Sequence, residues 1–371
     1  MLRIGLVIDD GLDRPDGVQQ IILTLGRRLT TLGHEVHYLT SSTERTDLPN
    51  LHVLSRTVSV KFNGNRLGTP LPLRRSTARA LVRRLDLDVL HVAMPYSPVL
   101  AGQLVSAVGP RTAVCGSFMI YPQDALTRWG IRALGVLERQ RLRRFDMLSA
   151  LSEAAQESAE GAYRRVVPVI GAPVELPEPE AVTHDGPPRI VFLGRLVERK
   201  GPRELVAAAA ALHAADPTRA WTLTMAGRGP LVEALRRQVD AAGIAERVDF
   251  PGFVAEEDKT ALLAGADLVV LPSLGGESFG ISVVEAQAVA TGVVIAGDNP
   301  GYRTTMAGLE SQLVDPRDTA GFARLLARWI DDPAGRSAVV PHQRRAAQRF
   351  EAGAITERTL AWYQEGLERR R

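Results

Sequence analysis

The chain has 371 residues, of which 45% are hydrophobic, 23% charged and 5% aromatic, and its formal net charge at pH 7 is +3. This composition excludes a disordered or fibrous polymer, and at roughly 150 residues per domain the length favours two globular domains. A single cysteine, Cys115, excludes an internal disulfide framework and a four-thiolate zinc site. The N-terminus lacks the pattern of a signal peptide and no apolar run approaches ~18 residues, so we expect a cytoplasmic protein.

Short β-branched segments alternate with helical patterns along the whole chain. The predicted strands cover residues 3–8, 35–39, 88–92, 112–115 and 146–150 in the first half, and 189–193, 221–226, 247–250, 267–271 and 293–296 in the second. This alternation is typical of parallel sheets with helices on both faces. We therefore predict an α/β chain of two doubly wound, Rossmann-like domains that face a cleft.

The domain boundary is predicted from proline content. Residues 171–188 contain five prolines in eighteen positions, which predicts a linker. It would separate an N-terminal domain at 1–170 from a C-terminal domain at 189–340. Residues 341–371 have a helical pattern, and these helices could cross back to the N-terminal domain.

Positive charge is concentrated in residues 56–84, which carry eight basic and no acidic side chains. Such a stretch predicts a surface for anionic partners. Nucleic acid is disfavoured because no aromatic stacking platform accompanies the arginines. A helix at 76–85 would place Arg75, Arg79 and Arg83 opposite an apolar face. It either lies on an anionic bilayer or is a core helix with an arginine-rich outer face.

The most informative segment, residues 274–285, reads LGGESFGISVVE. It follows an apolar strand and opens a helix, and its glycines allow the backbone to approach a ligand. The start of the helix presents free N–H groups to an anion. Glu277 lies in the loop and Glu285 inside the helix, so we expect them to hold different hydroxyl groups of one ligand.

A second segment, residues 192–201, reads FLGRLVERKG and also follows a strand. Its Arg195 and Lys200 share one loop at the predicted cleft, where fixed cations can neutralise a diphosphate leaving group without a metal. Solvation of the loop is the alternative, but it does not explain the flanking glycines. Arg199 lacks positional support, and we interpret it as a solvated charge.

The loop after the first strand carries Gly17 directly before a helix, where a diphosphate can approach the backbone. This loop lacks the Gly-x-Gly-x-x-Gly array of dinucleotide-binding folds, which disfavours an NAD enzyme. Asp86 and Asp88 have the spacing of a metal-binding Asp-x-Asp pair. They precede their strand, at the end opposite the cleft, so we predict no metal site there.

Together, these three segments resemble the retaining nucleotide-sugar glycosyltransferases of family 4, and the resemblance covers essentially the whole chain. The family pattern is a glycine-containing loop after the first strand, an Arg and a Lys in the first loop of the second domain, and a Glu-x7-Glu element. It implies the two-domain B-type fold (GT-B), no cofactor and no obligatory metal. Within the family, the chain looks most similar to the enzymes that transfer mannose from GDP-mannose to phosphatidylinositol.

The resemblance implies a role for each matching residue. Arg195 and Lys200 would neutralise the donor diphosphate, and Glu277 would hold hydroxyl groups of the transferred sugar. Gln19 and Asn63 match the acceptor side. The remaining donor positions are Gly17 at the diphosphate, Phe279, Gly280 and Ile281 at the sugar phosphate, Glu285 at the ribose, and Val254 and Lys259 at the guanine.

The departures from the family pattern lie in the N-terminal half. The mannosyltransferases have a histidine near the reacting sugar, whereas residues 115–118 here read CGSF. Ser117 would offer a hydroxyl there instead and is included among the expected catalytic residues. Asp9 and Asp10 stand where the lipid enzymes have apolar and aromatic residues. The donor half therefore matches better than the acceptor half.

The sequence thus predicts a retaining mannosyltransferase that uses GDP-mannose and an inositol phospholipid and associates peripherally with the inner face of the cell membrane. One alternative is a family-4 enzyme with a UDP-sugar donor, or with a different lipid or soluble acceptor. The other is a catalytically silent protein that binds a sugar nucleotide or a lipid.

Overall fold

The structure is a computed structural model that divides into two compact units. It describes residues 1–13, 17–62, 65–95, 97–122, 127, 129–130, 133–135, 138–179, 182 and 184–371, without the side chains of 58–69. The first unit comprises Met1–Val174 and Phe350–Arg371, and the second unit comprises Glu175–Arg349. No helix among the described residues is long and apolar enough to cross a membrane.

The first unit contains a six-stranded parallel sheet and a small antiparallel hairpin. Its strands are β1 (Arg3–Ile8), β2 (Glu35–Thr40), β3 (Leu51–Val53), β4 (Thr57–Phe62), β5 (Asn65–Pro70), β6 (Val89–Ala93), β7 (Ala113–Phe118) and β8 (Met147–Ala150). Its helices include α1 (Gly17–Thr31), α2 (Arg75–Leu85), α3 (Leu100–Val105), α4 (Arg139–Leu142) and α5 (Glu153–Tyr163). The sheet order is β3-β2-β1-β6-β7-β8, and β4 pairs only with β5.

The second unit contains another six-stranded parallel sheet. Its strands are β9 (Arg189–Leu193), β10 (Thr222–Ala226), β11 (Val248–Gly252), β12 (Leu268–Leu271), β13 (Val293–Gly297) and β14 (Leu313–Val314). Its helices include α6 (Pro202–Ala215), α7 (Val232–Ala241), α8 (Glu256–Ala264), α9 (Ile281–Val289), α10 (Pro300–Thr305), α11 (Thr319–Asp331) and α12 (Pro333–Gln348). The sheet order is β11-β10-β9-β12-β13-β14.

Both sheets follow the same doubly wound order once the β4–β5 hairpin is set aside. In each, the chain starts at an inner strand, winds to one edge, and then returns to build the other half. The winding reverses between β1 and β6 in the first unit, and between β9 and β12 in the second. Sheets of this type bind ligands at the carboxyl ends of the strands beside that reversal. The predicted fold class is confirmed.

The C-terminal helices belong to different units, which corrects the expected start of the C-terminal segment at 341. Helix α12 stays on the second unit, because Gln343 accepts a hydrogen bond from Val294 N and donates one to Gly292 O. The last helix, α13 (Ala352–Glu368), packs instead on α1 and β7 of the first unit.

The strand that precedes Ser117 is longer than predicted. We expected it at 112–115, but β7 continues to Phe118, and Ser117 pairs in register with Ala93 and Ser149. The short strands β3 and β14 were not predicted, because segments of two or three residues carry no clear periodic pattern. The β4–β5 hairpin was missed although its sequence alternates on both sides of Asn63-Gly64, which is a hairpin signal.

Helix α13 is held by apolar burial, and this generates a stability prediction. Ile355 is buried, with 1% of its surface exposed, whereas Glu357 on the same helix is exposed. We expect Ile355→Ala to lower the free energy of unfolding by about 3 kcal/mol, because it leaves a cavity. Glu357→Ala should change it by less than about 0.5 kcal/mol. Equal losses in denaturant unfolding of the two variants would contradict this packing.

Candidate active site

Two loops meet at the carboxyl end of the second sheet, where its winding reverses. Residues 194–201 follow β9, and residues 272–280 follow β12. Gly201 has φ +71°, and a Cβ atom there would lie 2.0 Å from the Pro272 carbonyl oxygen. Only glycine therefore allows this approach. The Arg199 carbonyl accepts a hydrogen bond from Leu274 N at 2.8 Å, which ties the loops together.

Glu277 is the centre of a charged cluster between these loops. Its side chain is 11% exposed, and its Oε1 lies 2.9 Å from Lys200 Nζ. The same oxygen contacts Arg199 Nη1 and accepts a hydrogen bond from Ser273 Oγ at 2.9 Å. The structure thus brings the predicted Lys200 and Glu277 together. It also corrects our interpretation of Arg199, whose side chain is 18% exposed and ion-paired rather than solvated.

The pKa values of Glu277 and Lys200 reflect a buried cluster in which two cations share a single carboxylate. Burial alone would raise the pKa of Glu277, but Lys200 and Arg199 outweigh burial and hold that pKa at about 2. The pKa of Lys200 is lowered, first by burial and then by Arg199 and Arg195, although Glu277 opposes the shift. The cluster can therefore accept a further anion with little electrostatic penalty.

A second ion pair joins α8 to α9. Lys259 Nζ lies 3.0 Å from Glu285 Oε1 and also contacts Glu256. Burial raises the pKa of Glu285, and Lys259 opposes that shift only in part. Burial would lower the pKa of Lys259, but Glu285 and Glu256 raise it above its usual value. The structure thus brings the predicted Lys259 and Glu285 together. Val254, the other predicted residue of this region, lies two residues before α8.

The N-terminus of α9 follows directly from the Glu277 loop. Gly280 caps it with φ +98°, Phe279 before it is 2% exposed, and Ile281 is the first helical residue. The phenol of Tyr302 hydrogen-bonds with the side chains of Ser273 and Ser282, and its pKa is raised well above its usual value, first by burial and then by Glu277. Tyr302 is therefore a neutral hydroxyl beside the charged cluster.

The predicted acceptor residues lie in the first unit. Gln19 is 3% exposed, and its Nε2 donates to Asp10 Oδ2 at 3.3 Å. Asp9 is buried and accepts hydrogen bonds from Ser97 Oγ and from Ala101 N. Burial raises the pKa of Asp9. Gly17 starts α1 and is exposed, whereas Asn63 lies outside the described residues.

The structure places Ser117 in an internal network rather than at a surface. Its Oγ lies 2.7 Å from His91 Nε2 and 2.8 Å from Ser149 Oγ. His91 Nδ1 is 2.6 Å from Tyr363 OH, and burial lowers the pKa of His91 to about 3. His91, Ser117 and Ser149 line a cavity with room for about one water molecule. Because β7 extends to Phe118, the hydroxyl of Ser117 points into the core.

The basic helix α2 is amphipathic as predicted, but its apolar face is packed against the rest of the first unit. Ala78, Leu81, Val82 and Leu85 are buried in the first unit. The arginines at the three predicted positions are exposed, namely Arg75, Arg79 and Arg83. The buried apolar face is therefore not available to a membrane, and the exposed face that could meet one carries these arginines.

The sequence missed three members of the Glu277 cluster: Arg199, Ser273 and Tyr302. Arg199 directly precedes Lys200, and that adjacency was the available signal. Ser273 and Tyr302 depend on the folded loops, and no spacing rule points to them. Arg195, which was predicted, is exposed at the start of the same loop.

Comparison with known proteins gives concordant results for both units. The family model of glycosyl transferases group 1 matches residues 177–349, and that of Glycosyltransferase Family 4 matches residues 15–176. A phosphatidyl-myo-inositol mannosyltransferase of Mycolicibacterium smegmatis is 30% identical over 98% of this chain and 94% of its own. A 2-deoxystreptamine glucosyltransferase of Streptomyces kanamyceticus is 31% identical over 86% of each chain. The crystal structure of a Rickettsia africae glycosyltransferase covers 98% of both chains, with a TM-score of 0.75 at 16% identity.

The depressed pKa of Glu277 generates a prediction about stability and pH. A carboxylate of this kind stabilises the folded state fully above its ordinary pKa of 4.5, and this contribution is lost as the pH falls toward 2. We expect Glu277→Gln to lower the free energy of unfolding by on the order of 3 kcal/mol at pH 7 and by less than half of that at pH 3. The matched control is Glu198→Gln, whose side chain is 64% exposed. The free energy of unfolding is measured with denaturant at both pH values. An equal loss in Glu277→Gln at pH 7 and pH 3 would contradict the lowered pKa of Glu277.

Proposed function

The chain belongs to glycosyltransferase family 4, and from this premise we propose that it transfers mannose from GDP-mannose to an inositol phospholipid with retention of configuration. The acceptor would be met at the cytoplasmic face of the membrane. The observation that carries the proposal is the Glu277 cluster at the reversal point of the second sheet, with two cations on one carboxylate.

The donor diphosphate would bind where positive charge is in excess. Lys200 and Arg195 share the loop after β9, and the lowered pKa of Lys200 favours a site that gains stability from a bound anion. The N–H groups at the start of α9 add a second source of positive potential. These fixed groups would neutralise the departing nucleoside diphosphate, and no divalent metal would be required.

The carboxylates would position the rest of the donor. Glu277 would accept hydrogen bonds from hydroxyl groups of the sugar, and Glu285, paired with Lys259, would lie on the nucleoside side. No nucleophile for a covalent intermediate is evident among the residues that the structure describes. The leaving diphosphate would therefore help to deprotonate the acceptor hydroxyl, which attacks from the same face of the sugar. Positioning and charge neutralisation would be the protein's contribution.

A second acceptor class is favoured by the surroundings of Gln19. Its amide, predicted to meet the inositol phosphate, is buried and donates to the Asp10 carboxylate. A carboxylate there repels a phosphate and attracts an ammonium group. The second candidate is therefore a soluble aminocyclitol acceptor, the class to which the substrate in the name of the Streptomyces kanamyceticus relative belongs.

The exposed arginines of α2 support the membrane part of the proposal. Arg75, Arg79 and Arg83 share one face, and each cation near an anionic surface contributes about 1 kcal/mol. Neutralising all three should weaken sedimentation with anionic liposomes by at least tenfold, and unchanged sedimentation would remove the membrane contact.

The charge-neutralisation proposal predicts a specific loss of activity. Arg195→Met and Lys200→Met should each lower kcat by about 100- to 1,000-fold, because each removes a fixed donor to the leaving diphosphate. Activity should persist in EDTA. Arg203→Gln, which loses only a surface pair with Glu198, is the control. Turnover that stops in EDTA, or that survives the loss of both cations, would reject the proposal.

The substrates are tested by a matched panel. Labelled GDP-mannose and UDP-glucose are each incubated with phosphatidylinositol liposomes, myo-inositol and 2-deoxystreptamine, and products are identified by mass and by anomeric NMR. The first proposal predicts an α-mannosylated lipid from GDP-mannose. Product from 2-deoxystreptamine alone would favour the second candidate, and no product from any pair would indicate a silent binding protein.

A further inference from the structure

Arg199 lies in the charged cluster but is not needed for any step described above. It belongs to a short turn, Glu198–Lys200, and its guanidinium reaches across to Glu277 on the other loop. We propose that Arg199 is a positioning residue, which keeps the Glu277 carboxylate ionised and oriented toward the donor sugar when Lys200 is engaged by the diphosphate. The inference rests on the proposed function and assigns the ion pair a task within it.

The contacts on Glu277 are unequally distributed between its two oxygens. Arg199 Nη1, Lys200 Nζ and Ser273 Oγ all contact Oε1. None of the contacts among the described residues uses Oε2. One oxygen is therefore anchored by protein groups, and the other is left to accept a hydrogen bond from a hydroxyl group of the sugar.

The charge balance separates the tasks of the two cations. A single carboxylate cannot neutralise both Arg199 and Lys200, so the cluster carries an excess of positive charge before the donor binds. A diphosphate supplies that missing charge, and an ammonium on a flexible stem can turn toward it as a point charge. Glu277 then needs another cation, because a buried carboxylate without a partner is strongly destabilised. Arg199 is the cation that can remain.

The backbone of Arg199 is fixed well enough for this task. Its carbonyl oxygen lies 2.8 Å from Leu274 N and 2.9 Å from Ser273 Oγ, on the loop that carries Glu277. Gly201 allows the same close approach two residues later. The Nε atom of Arg199 is buried and has no hydrogen-bond partner among the described residues.

The proposal predicts a change in selectivity rather than a general loss of binding. Affinity for GDP, GDP-mannose, UDP and UDP-glucose is measured by calorimetry for the wild-type protein, Arg199→Gln, Arg199→Lys, Lys200→Gln and Arg203→Gln. Arg199→Gln should keep its affinity for the nucleoside diphosphate within threefold and lose at least tenfold of its preference for the nucleotide-sugar. Arg199→Lys should restore most of that preference. Lys200→Gln should lose affinity for both ligands, and Arg203→Gln should lose neither.

The pH dependence gives a readout that a purely structural role would not change. The charged groups that face Glu277 are Arg199 and Lys200, and its neutral neighbours are Tyr302 and Ser273. Removing Arg199 should shift the acidic limb of the preference for the nucleotide-sugar to higher pH, and Arg199→Lys should return it. Thermal unfolding of each variant identifies any that fail to fold. If Arg199→Gln does not fold, the selectivity and pH profile of Arg199→Lys are compared with those of the wild-type protein.

The outcomes separate this inference from the proposed function. A wild-type protein that binds none of the four nucleotides would reject both. Normal donor binding in the wild type, with equal losses for nucleoside diphosphate and nucleotide-sugar in Arg199→Gln, would make Arg199 a phosphate ligand and overturn the inference alone. Unchanged selectivity in Arg199→Gln would overturn it as well.

Discussion

The organisation of the second unit depends on the burial of one carboxylate, that of Glu277. A buried anion must be paired, and its partners come from a different strand–helix loop, so the two loops must lie against each other. Gly201 permits this on one side. On the other, a Cβ atom at Gly301 would lie 1.9 Å from the Glu277 carbonyl oxygen, so glycine is required there as well. Two loops and the first turn of α10 are thereby fixed around one charge, which is the pre-organisation that an electrostatic site needs.

The use of lysine in this chain follows the same constraint. The sequence contains three lysines among its 45 basic residues, and two of them, Lys200 and Lys259, are paired with Glu277 and Glu285. An ammonium is a compact point charge that can move between a carboxylate and a phosphate, whereas a guanidinium holds a fixed fork. In a chain that otherwise uses arginine, two of the three lysines are thus paired with the two carboxylates of the Glu-x7-Glu element.

The sequence was sufficient for the periodic features and for the loops that carry Lys200 and Glu277, but not for the other residues that contact Glu277. Strand–helix alternation predicted both sheets, and glycines after strands located the loops that hold Lys200 and Glu277. Ser117 was assigned to the sugar site from the family pattern, with its strand expected to end at Cys115, whereas β7 continues to Phe118. The contact of His91 with Tyr363 joins residues 272 positions apart and depends on the packing of α13, which no local pattern encodes.

The two units share one sheet topology but carry charged groups of opposite sign at the point where the winding reverses. The second unit places two cations on one carboxylate at its reversal point, which leaves an excess of positive charge there. At the corresponding place in the first unit, Asp9 is buried against Ser97 and Ala101, and Asp10 engages the Gln19 amide. The nearby core is neutral, because burial lowers the pKa of His91 to about 3. Under the proposed function, the sign of the charge beside Gln19 would therefore decide between a phosphorylated acceptor and an amine-bearing one.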